Sequence, residues 1–421
     1  MKIKKIQKII SDIPLKFYDI EVEEHHNFLI GDSNIVTHNS SIEEAIVGMA
    51  QDFVGKNNIN ILSPKGQFGS RIKGGQDSAS ARYIFTKLND ITEYIFRKED
   101  NDILDYLNDD GFTIEPKYYV PIIPMVLVNG SFGLGSGYSS NVPMFNPIDI
   151  ISYLISKLTN KKPKKLIPYY KGFKGDIILD ENNNRYITRG KFEIINDNSI
   201  NITELPIGTW NDQYFKKLDK LIEEKKIKDY IKNCTDEIID IKVFLTKDNF
   251  DFLFQNKDDV YKKLNLETYI STDNMHLFDS EQKIKKYKDQ YEIIDDFYEI
   301  RMMYYIKRKE YQLNKKNIEL NILLNKIRFL KLVMDDTIII NKKSKDIIER
   351  DLEKNNFDRI ENTYNYLLNM SISSFTKEKL QELRDTTEKL KSSITTLKNT
   401  TESDIWLSDL KELKSKIGKD Y

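Results

Sequence analysis

The sequence predicts an α+β fold, with β structure near its beginning and long helices at its end. Residues 17–22 alternate polar and apolar side chains as a strand would. Residues 279–334 place apolar side chains near heptad spacing, and residues 376–398 repeat this pattern. Between them, a loop rich in glycine and serine at 63–81 leads into an apolar run typical of a helix. The length of 421 residues allows two or three domains.

Composition narrows the class of protein. The net charge is −1, so a nucleic-acid partner must be argued from local basic clusters. Cys234 is the only cysteine, which excludes an internal disulfide and fits a reducing compartment. No segment approaches the roughly 20 apolar residues that cross a bilayer, and the N-terminus lacks the apolar core of a signal peptide. We therefore expect an intracellular protein with no membrane partner.

Residues 1–39, the leading segment, differ in character from the rest. Three of the four histidines of the chain lie at positions 25, 26 and 38. The side-chain amide of Asn39 can attack its own carbonyl, which closes a succinimide and cuts the chain before Ser40. This attack is slow unless one neighbour polarises the carbonyl and another moves protons. The Ser40 hydroxyl can first accept an acyl chain.

With these residues, the leading segment resembles the short C-terminal half of a split intein, a small β-rich fragment. The resemblance implies that Asp19, His26 and His38 assist the cleavage at Asn39. It also implies that the leading segment is removed and that Ser40 is joined to a partner made from another gene. A chance hairpin is the alternative.

The loop at 63–81 can bring its backbone close to a phosphate, because glycine and serine leave room and expose N–H groups. Tyr83 follows it and is our candidate nucleophile. An ordinary tyrosine has a pKa of about 10 and needs help to react near neutral pH. Arg82 can brace a phosphate with two N–H groups, and Arg71 and Lys73 are further phosphate-contact candidates.

Two other stretches are candidate DNA contacts. Leu134 is flanked by glycines, so an apolar side chain lies on a backbone that can approach DNA closely; a leucine buried in a tight turn is the alternative. Lys164 and Lys165 end the basic run at 161–165, which could contact phosphates in a salt-sensitive way. A solvated loop is the alternative for this run.

From Ser40 onward these motifs resemble the eukaryote-type DNA topoisomerase II family over nearly the whole remaining length. The runs that carry the resemblance are Gly66-Gln67-Phe68-Gly69-Ser70-Arg71, Gly74-Gly75-Gln76-Asp77-Ser78-Ala79-Ser80-Ala81-Arg82-Tyr83, residues 115–138 and residues 400–410. The resemblance implies that Tyr83 forms a phosphotyrosine link to DNA and that Leu134 replaces the usual isoleucine wedge between base pairs.

The resemblance also implies a domain organisation. Residues 40–115 would form the C-terminal part of a winged-helix DNA-cleavage domain, and residues 116–278 an α/β tower domain. Residues 279–421 would form a long antiparallel coiled coil with a helical dimer gate at about 335–375.

Cofactors and partners follow from the same resemblance. No metal ligands are assigned in this chain, since Mg²⁺ and ATP are expected on partner-derived domains. The partners would be double-stranded DNA, an N-terminal topoisomerase fragment carrying the N-terminal intein half, and a second copy in a homodimer. Two alternatives remain: a DNA-binding, dimerising subunit or relic without cleavage activity, and a small subunit that pairs non-covalently with an ATPase subunit.

Overall fold

The computed structural model of the chain describes residues 27–30, 35–109, 111–135, 138–180, 185–255, 257–341, 343–371 and 374–420. In these residues the α-helices are α1 Asn39–Ala50, α2 Thr92–Ile95, α3 Met125–Val128, α4 Pro147–Leu158, α5 Asn211–Glu223, α6 Lys247–Phe254, α7 Lys257–Lys263, α8 Gln290–Met334, α9 Lys345–Lys354, α10 Asn365–Leu368, α11 Lys377–Asn399 and α12 Glu402–Asp420.

The strands of the same residues are β1 Asn27–Ile30, β2 Ile35–His38, β3 Leu62–Lys65, β4 Phe85–Leu88, β5 Tyr106–Asp109, β6 Phe112–Pro116, β7 Ser131–Gly135, β8 Tyr138–Val142, β9 Asp176–Asp180, β10 Arg185–Arg189, β11 Lys191–Asn196, β12 Ser199–Glu204, β13 Asp229–Lys232, β14 Ile241–Phe244, β15 Glu267–Ser271, β16 Met275–Phe278 and β17 Ile284–Tyr287. Two 3₁₀ helices lie at Ala81–Tyr83 and Lys98–Ile103. The α+β prediction agrees with this mixture of helices and antiparallel strands.

The chain divides into two compact units. The first comprises Met1–Thr92, Val126–Pro147 and Leu166–Met275, and the second comprises Glu93–Met125, Ile148–Lys165 and His276–Tyr421. Within the described part of the first unit, the larger sheets have the strand orders β11-β12-β14-β13 and β15-β10-β9. Strand pairing is antiparallel in both sheets.

The main core of the first unit lies between the four-stranded sheet and helix α5. Ile200 and Ile202 of β12 are buried at alternate positions, which is the period of a strand with one covered face. Tyr214, Leu218 and Leu221 of α5 are buried at helical spacing in the same cluster. This core gives β12 a fixed position, and the end of β12 contacts the loop before Tyr83.

In the second unit, α8 is the longest helix of the described residues, with 45 residues. Asp289 caps its N-terminus by accepting hydrogen bonds from the N–H groups of Tyr291 and Glu292 at 2.9 Å each. The sequence predicts this helix from residue 279, which is wrong by eleven residues. The strands β16 and β17 form a hairpin there, and the helix begins only at the Asp289 cap.

Helices α8 and α11 run in opposite directions. Phe329 lies 6.1 Å from Phe375 between ring centroids, whereas Lys316, earlier in α8, donates to Ser393, later in the chain, at 3.0 Å. Because sequence numbers fall along one helix as they rise along the other, the pairing is antiparallel. A coiled coil with a dimer gate stays a prediction.

The predicted apolar stripe of α8 is partly wrong. Ile318 is 51% exposed and Tyr311 is also exposed, although heptad spacing places both in the buried seam. An α-helix drifts about 20° per heptad relative to a strict 3.5-residue repeat, so a stripe assigned over many turns leaves the covered face.

The apolar run after Tyr83 forms the strand β4, and the prediction of a helix there is wrong. The strand pairs with β3 from Leu62↔Leu88 to Lys65↔Phe85, and this tertiary pairing decides its conformation. The strand predicted at 17–22 lies outside the described residues. Within those residues, no helix is both long and apolar enough to cross a bilayer.

Candidate active site

Tyr83 stands on a short turn at the surface of the first unit. It ends the 3₁₀ helix Ala81–Tyr83, and its backbone N–H donates to the Ser80 carbonyl at 2.9 Å. The Tyr83 side chain is 70% exposed. The guanidinium carbon of Arg82, which is also exposed, lies 6.0 Å from the Tyr83 ring centroid. The turn therefore presents a phenol hydroxyl and a cation together to a bulky anionic ligand.

The glycines of the preceding loop are required by close packing. Gly74 and Gly75 have φ values of +66° and +90°. A Cβ at Gly74 would lie 2.4 Å from the Trp210 ring, and one at Gly75 would lie 2.3 Å from the Gln51 amide nitrogen. The Gly75 N–H donates to Ser70 O at 2.9 Å. At these positions glycine admits Trp210 and Gln51, a role that the sequence analysis did not predict.

Asp77 fastens the loop from within. Its carboxylate accepts hydrogen bonds from the Ser70 N–H at 2.8 Å and from the Ser70 Oγ at 2.5 Å. Partial burial would raise the pKa of Asp77, but these hydrogen bonds, its own backbone N–H and nearby Lys73 outweigh it and lower the pKa. The ionised carboxylate therefore stabilises the turn at 70–77.

The prediction that Arg71 contacts phosphate is contradicted by its geometry. The side chain is buried, and its Nη2 donates to the Glu204 carboxylate and, at 3.3 Å, to the Leu205 carbonyl. A guanidinium held in this way is not available to DNA in this conformation, so Arg71 is a structural residue. Lys73 is exposed and remains a candidate phosphate contact.

Leu134 lies on strand β7 and is 84% exposed, which excludes the alternative of a leucine buried in a tight turn. Phe132 is two residues earlier on the same face of the strand and is 81% exposed. The pair stands above the hairpin β7–β8, where Phe132 is opposite Asn141 and Leu134 is opposite Ser139. The sequence analysis missed Phe132, although its spacing from Leu134 was the available signal.

The other predicted residues are placed less closely. Lys164 and Lys165 are exposed in the second unit, and their contact with DNA stays a prediction. Asp19 and His26 lie outside the described residues. The hairpin β1–β2 pairs Asn27 with His38, and α1 begins at Asn39. The predicted junction between Asn39 and Ser40 therefore falls in the first turn of α1.

Among the described residues, no group of three or more His, Cys, Asp or Glu side chains is arranged to hold a metal ion. The residues around Tyr83 supply a nucleophile and cations, but they do not fit a Mg²⁺ site. Any metal chemistry at Tyr83 would therefore depend on carboxylates from elsewhere.

Comparison with known proteins agrees with this chemistry. Residues 33–411 match the family model for the A-type subunit of DNA gyrase/topoisomerase IV. The chain is 40% identical to DNA topoisomerase 2 of Arabidopsis thaliana over 90% of its length and 29% of that protein. It is 37% identical to the mitochondrial DNA topoisomerase 2 of Dictyostelium discoideum over 95% of its length and 32% of that protein.

Among solved structures, the chain resembles the DNA-binding, cleavage and re-ligation domain of Plasmodium falciparum topoisomerase II. The TM-score is 0.82 at 35% identity, and the match covers 90% of this chain and 55% of that one. The chain thus spans about a third of the curated relatives. A match over 95% of the chain includes part of residues 1–39, so the comparisons give no evidence that this segment is an intein.

Proposed function

The chain belongs to the DNA gyrase/topoisomerase IV family, in its A-type branch, and on this premise we propose that it supplies the cleavage nucleophile of a type IIA DNA topoisomerase. The Tyr83 hydroxyl attacks a DNA phosphorus atom, the tyrosyl P–O bond forms, and a deoxyribose oxygen leaves with a proton. The reverse reaction reseals the strand. Because the phosphotyrosine keeps the energy of the phosphodiester, resealing needs no further input. This activity belongs inside the cell, where DNA lies.

The exposed turn with Arg82 and Tyr83 is the observation that carries this proposal. A hydroxyl that attacks a phosphate inside duplex DNA must reach out from the protein, and Tyr83 is the most exposed tyrosine of the described residues. Arg82 supplies a permanent positive charge where negative charge develops on the phosphate. In a twofold homodimer, each copy would attack one strand of the duplex.

Leu134 and Phe132 support the DNA-binding part of the proposal. Two apolar side chains more than four-fifths exposed cost free energy in water unless a partner covers them. Inserted at a base step, an apolar side chain unstacks the bases at a cost of a few kcal/mol and kinks the duplex. We propose that Leu134 is the wedge and that Phe132 contacts the adjoining base or sugar.

Mg²⁺ and ATP would be held by the remainder of the topoisomerase. Relatives are about three times longer than this chain, and the described residues do not fit a metal site. Mg²⁺ bound there would stabilise negative charge during phosphoryl transfer. We therefore propose that cleavage and strand passage require a partner polypeptide.

The joining of that partner at Ser40 by an intein reaction is proposed from the sequence of the leading segment. One structural observation favours this proposal: strand β2 ends at His38 and a new element, α1, begins at Asn39. The alternative is a DNA-binding, dimerising subunit or relic without cleavage activity. The exposed Arg82 and Tyr83 favour the enzyme, since neither is needed for packing.

The cleavage proposal is tested by covalent capture of DNA. The chain, assembled with the polypeptide that carries the metal-binding and ATPase domains, is incubated with labelled duplex DNA and Mg²⁺ and then denatured. We expect a protein–DNA adduct with wild type and none with Tyr83→Phe. Tyr119→Phe is the matched control, because Tyr119 is also exposed but lies in the second unit. An adduct formed by Tyr83→Phe would exclude Tyr83 as the nucleophile.

Splicing is tested separately by mass spectrometry of the chain after mixing with a polypeptide that ends in an N-terminal intein half. We expect a ligated junction peptide that runs into Ser40, and its loss in Asn39→Ala. Asn34→Ala is the control and should splice normally. Ligated product from Asn39→Ala would rule out the intein mechanism and leave the cleavage proposal untouched.

A further inference from the structure

The turn that carries Tyr83 receives a hydrogen bond acceptor from a different element. Glu43 of α1 accepts a hydrogen bond through Oε1 from the backbone N–H of Ala81 at 3.1 Å. Ala81 is the first residue of the 3₁₀ helix that ends at Tyr83, and the N-cap residue Ser80 makes no side-chain capping bond. The N–H groups at the start of a helical turn have no acceptor within the turn. Glu43 therefore takes the part that a capping side chain normally plays.

The same face of α1 also holds the other end of the nucleophile loop. Val47, one turn after Glu43, is buried against Phe68, and the side chain of Ile84 packs on this cluster. Gln51, one turn further and just past the end of α1, donates through Nε2 to the carbonyl oxygens of Phe68 at 2.8 Å and Gly75 at 3.1 Å. Residues four apart lie on one helix face.

This face therefore contacts the chain both before and after the glycine-rich stretch. Gln51 and Val47 hold its beginning near Phe68, and Glu43 holds its end at Ala81. Tyr83 is two residues beyond that last contact and has an exposed side chain, so few side-chain contacts orient it directly. The direction of its hydroxyl depends on the backbone of the turn.

We propose that Glu43 is a positioning residue for Tyr83, which fixes the turn through the Ala81 N–H so that the hydroxyl is aligned for attack on DNA. This inference rests on the proposed cleavage function. Alignment matters because a nucleophile displaced by about 1 Å can lose a large part of its rate. Glu43 touches neither the nucleophile nor the substrate, so its effect falls on the rate of the covalent step and leaves DNA affinity unchanged.

The test compares Glu43→Ala and Glu43→Gln with Glu44→Ala, a control at the neighbouring exposed glutamate of the same helix. In the full chain, hydrogen exchange of the Ala81 amide reports the turn directly. In the assembled enzyme with saturating DNA, the single-turnover rate of covalent capture reports alignment, and DNA binding is measured in parallel. Tyr83→Phe is included in the same series.

We expect Glu43→Ala to speed exchange at Ala81 and to slow covalent capture by roughly two- to tenfold, the range of one net hydrogen bond. DNA affinity should not change. Glu43→Gln should stay near wild type, because its carboxamide oxygen accepts the same bond, and Glu44→Ala should equal wild type.

Normal capture by Glu43→Ala, or equal losses in Glu43→Ala and Glu44→Ala, would overturn the inference. Equal losses in Glu43→Ala and Glu43→Gln would also overturn it, since the charge and not the hydrogen bond would then matter. The failure of the cleavage proposal looks different, because an adduct would then form in Tyr83→Phe.

Discussion

Arg71 and Glu204 form a buried ion pair that ties the loop before Tyr83 to the end of strand β12. The Glu204 carboxylate also accepts hydrogen bonds from the N–H groups of Leu205 at 2.8 Å and Lys174 at 3.1 Å. Both charges are therefore paired and hydrogen-bonded, which is the condition under which buried ions are tolerated. The position of the loop depends on a residue 133 positions away in the sequence.

Glu204→Ala should strongly destabilise the chain. It leaves the Arg71 guanidinium buried without its counter-charge, and breaking such a pair costs about 3–5 kcal/mol of unfolding free energy. The measurement is denaturant unfolding of the full chain. Glu193→Ala is the control, because Glu193 is exposed on the neighbouring strand β11, and its effect should stay within about 0.5 kcal/mol. Equal losses in the two variants would show that the pair contributes little.

Sequence reasoning placed the chemistry better than its supports. The Gly-rich motif located Arg82 and Tyr83, and both are exposed in the structure. The same motif suggested that Arg71 faces DNA, because a sequence run does not show which side chains are buried. Its partner Glu204 lies in another sheet and could not be inferred from local spacing.

The glycines show the same limit. Gly74 was assigned to close approach of phosphate, whereas the structure uses that space for Trp210. The strand β4 was missed because its conformation depends on pairing with β3, which precedes the loop. Each error comes from a contact between segments distant in sequence.

The Asp77 carboxylate predicts a pH dependence of stability. Its pKa is lowered in the folded chain, so its contribution is fully present above the ordinary aspartate pKa and is lost as pH falls through the lowered value. The difference in unfolding free energy between wild type and Asp77→Asn should be constant from about pH 5 to 8 and shrink below about pH 4. Ser70→Ala removes one donor and should weaken this dependence. A difference unchanged at low pH would contradict the prediction.

The exposed pair on β7 predicts separable effects on DNA shape. Leu134→Ser should reduce DNA bending by the assembled enzyme, because a polar side chain does not unstack a base step as well as an apolar one. Phe132→Ser should weaken binding with a smaller effect on the bend angle. The measurement is fluorescence energy transfer between the two ends of a labelled duplex. Phe85→Ser is the control, since Phe85 is also well exposed but lies on β4. Full bending by Leu134→Ser would exclude the wedge.

A buried charge cluster organises the second unit around Asp100. Its carboxylate accepts hydrogen bonds from Arg301 Nη1 at 2.8 Å and from Arg308 Nε at 2.7 Å, and all three side chains are buried. Arg308 also donates to Asp409 at 2.9 Å, which links α8 to α12. Within the described residues, Arg301 Nε and Nη2 are buried without a hydrogen-bond partner, so its charge is compensated mainly by Asp100.

Asp100→Asn should therefore destabilise the second unit by about 3–5 kcal/mol, because two buried guanidinium groups would lose the carboxylate between them. Asp102→Asn is the matched control. Asp102 lies in the same 3₁₀ helix but is exposed, and its ion pair with Lys315 at 3.5 Å is a surface pair worth at most about 1 kcal/mol. Thermal unfolding of the full chain, followed by hydrogen exchange of α8 and α12, measures both the size and the place of the loss. If Asp100→Asn unfolds like Asp102→Asn, the cluster does not hold these helices together, and the buried aromatic contacts of Trp406 with Tyr305 must do so.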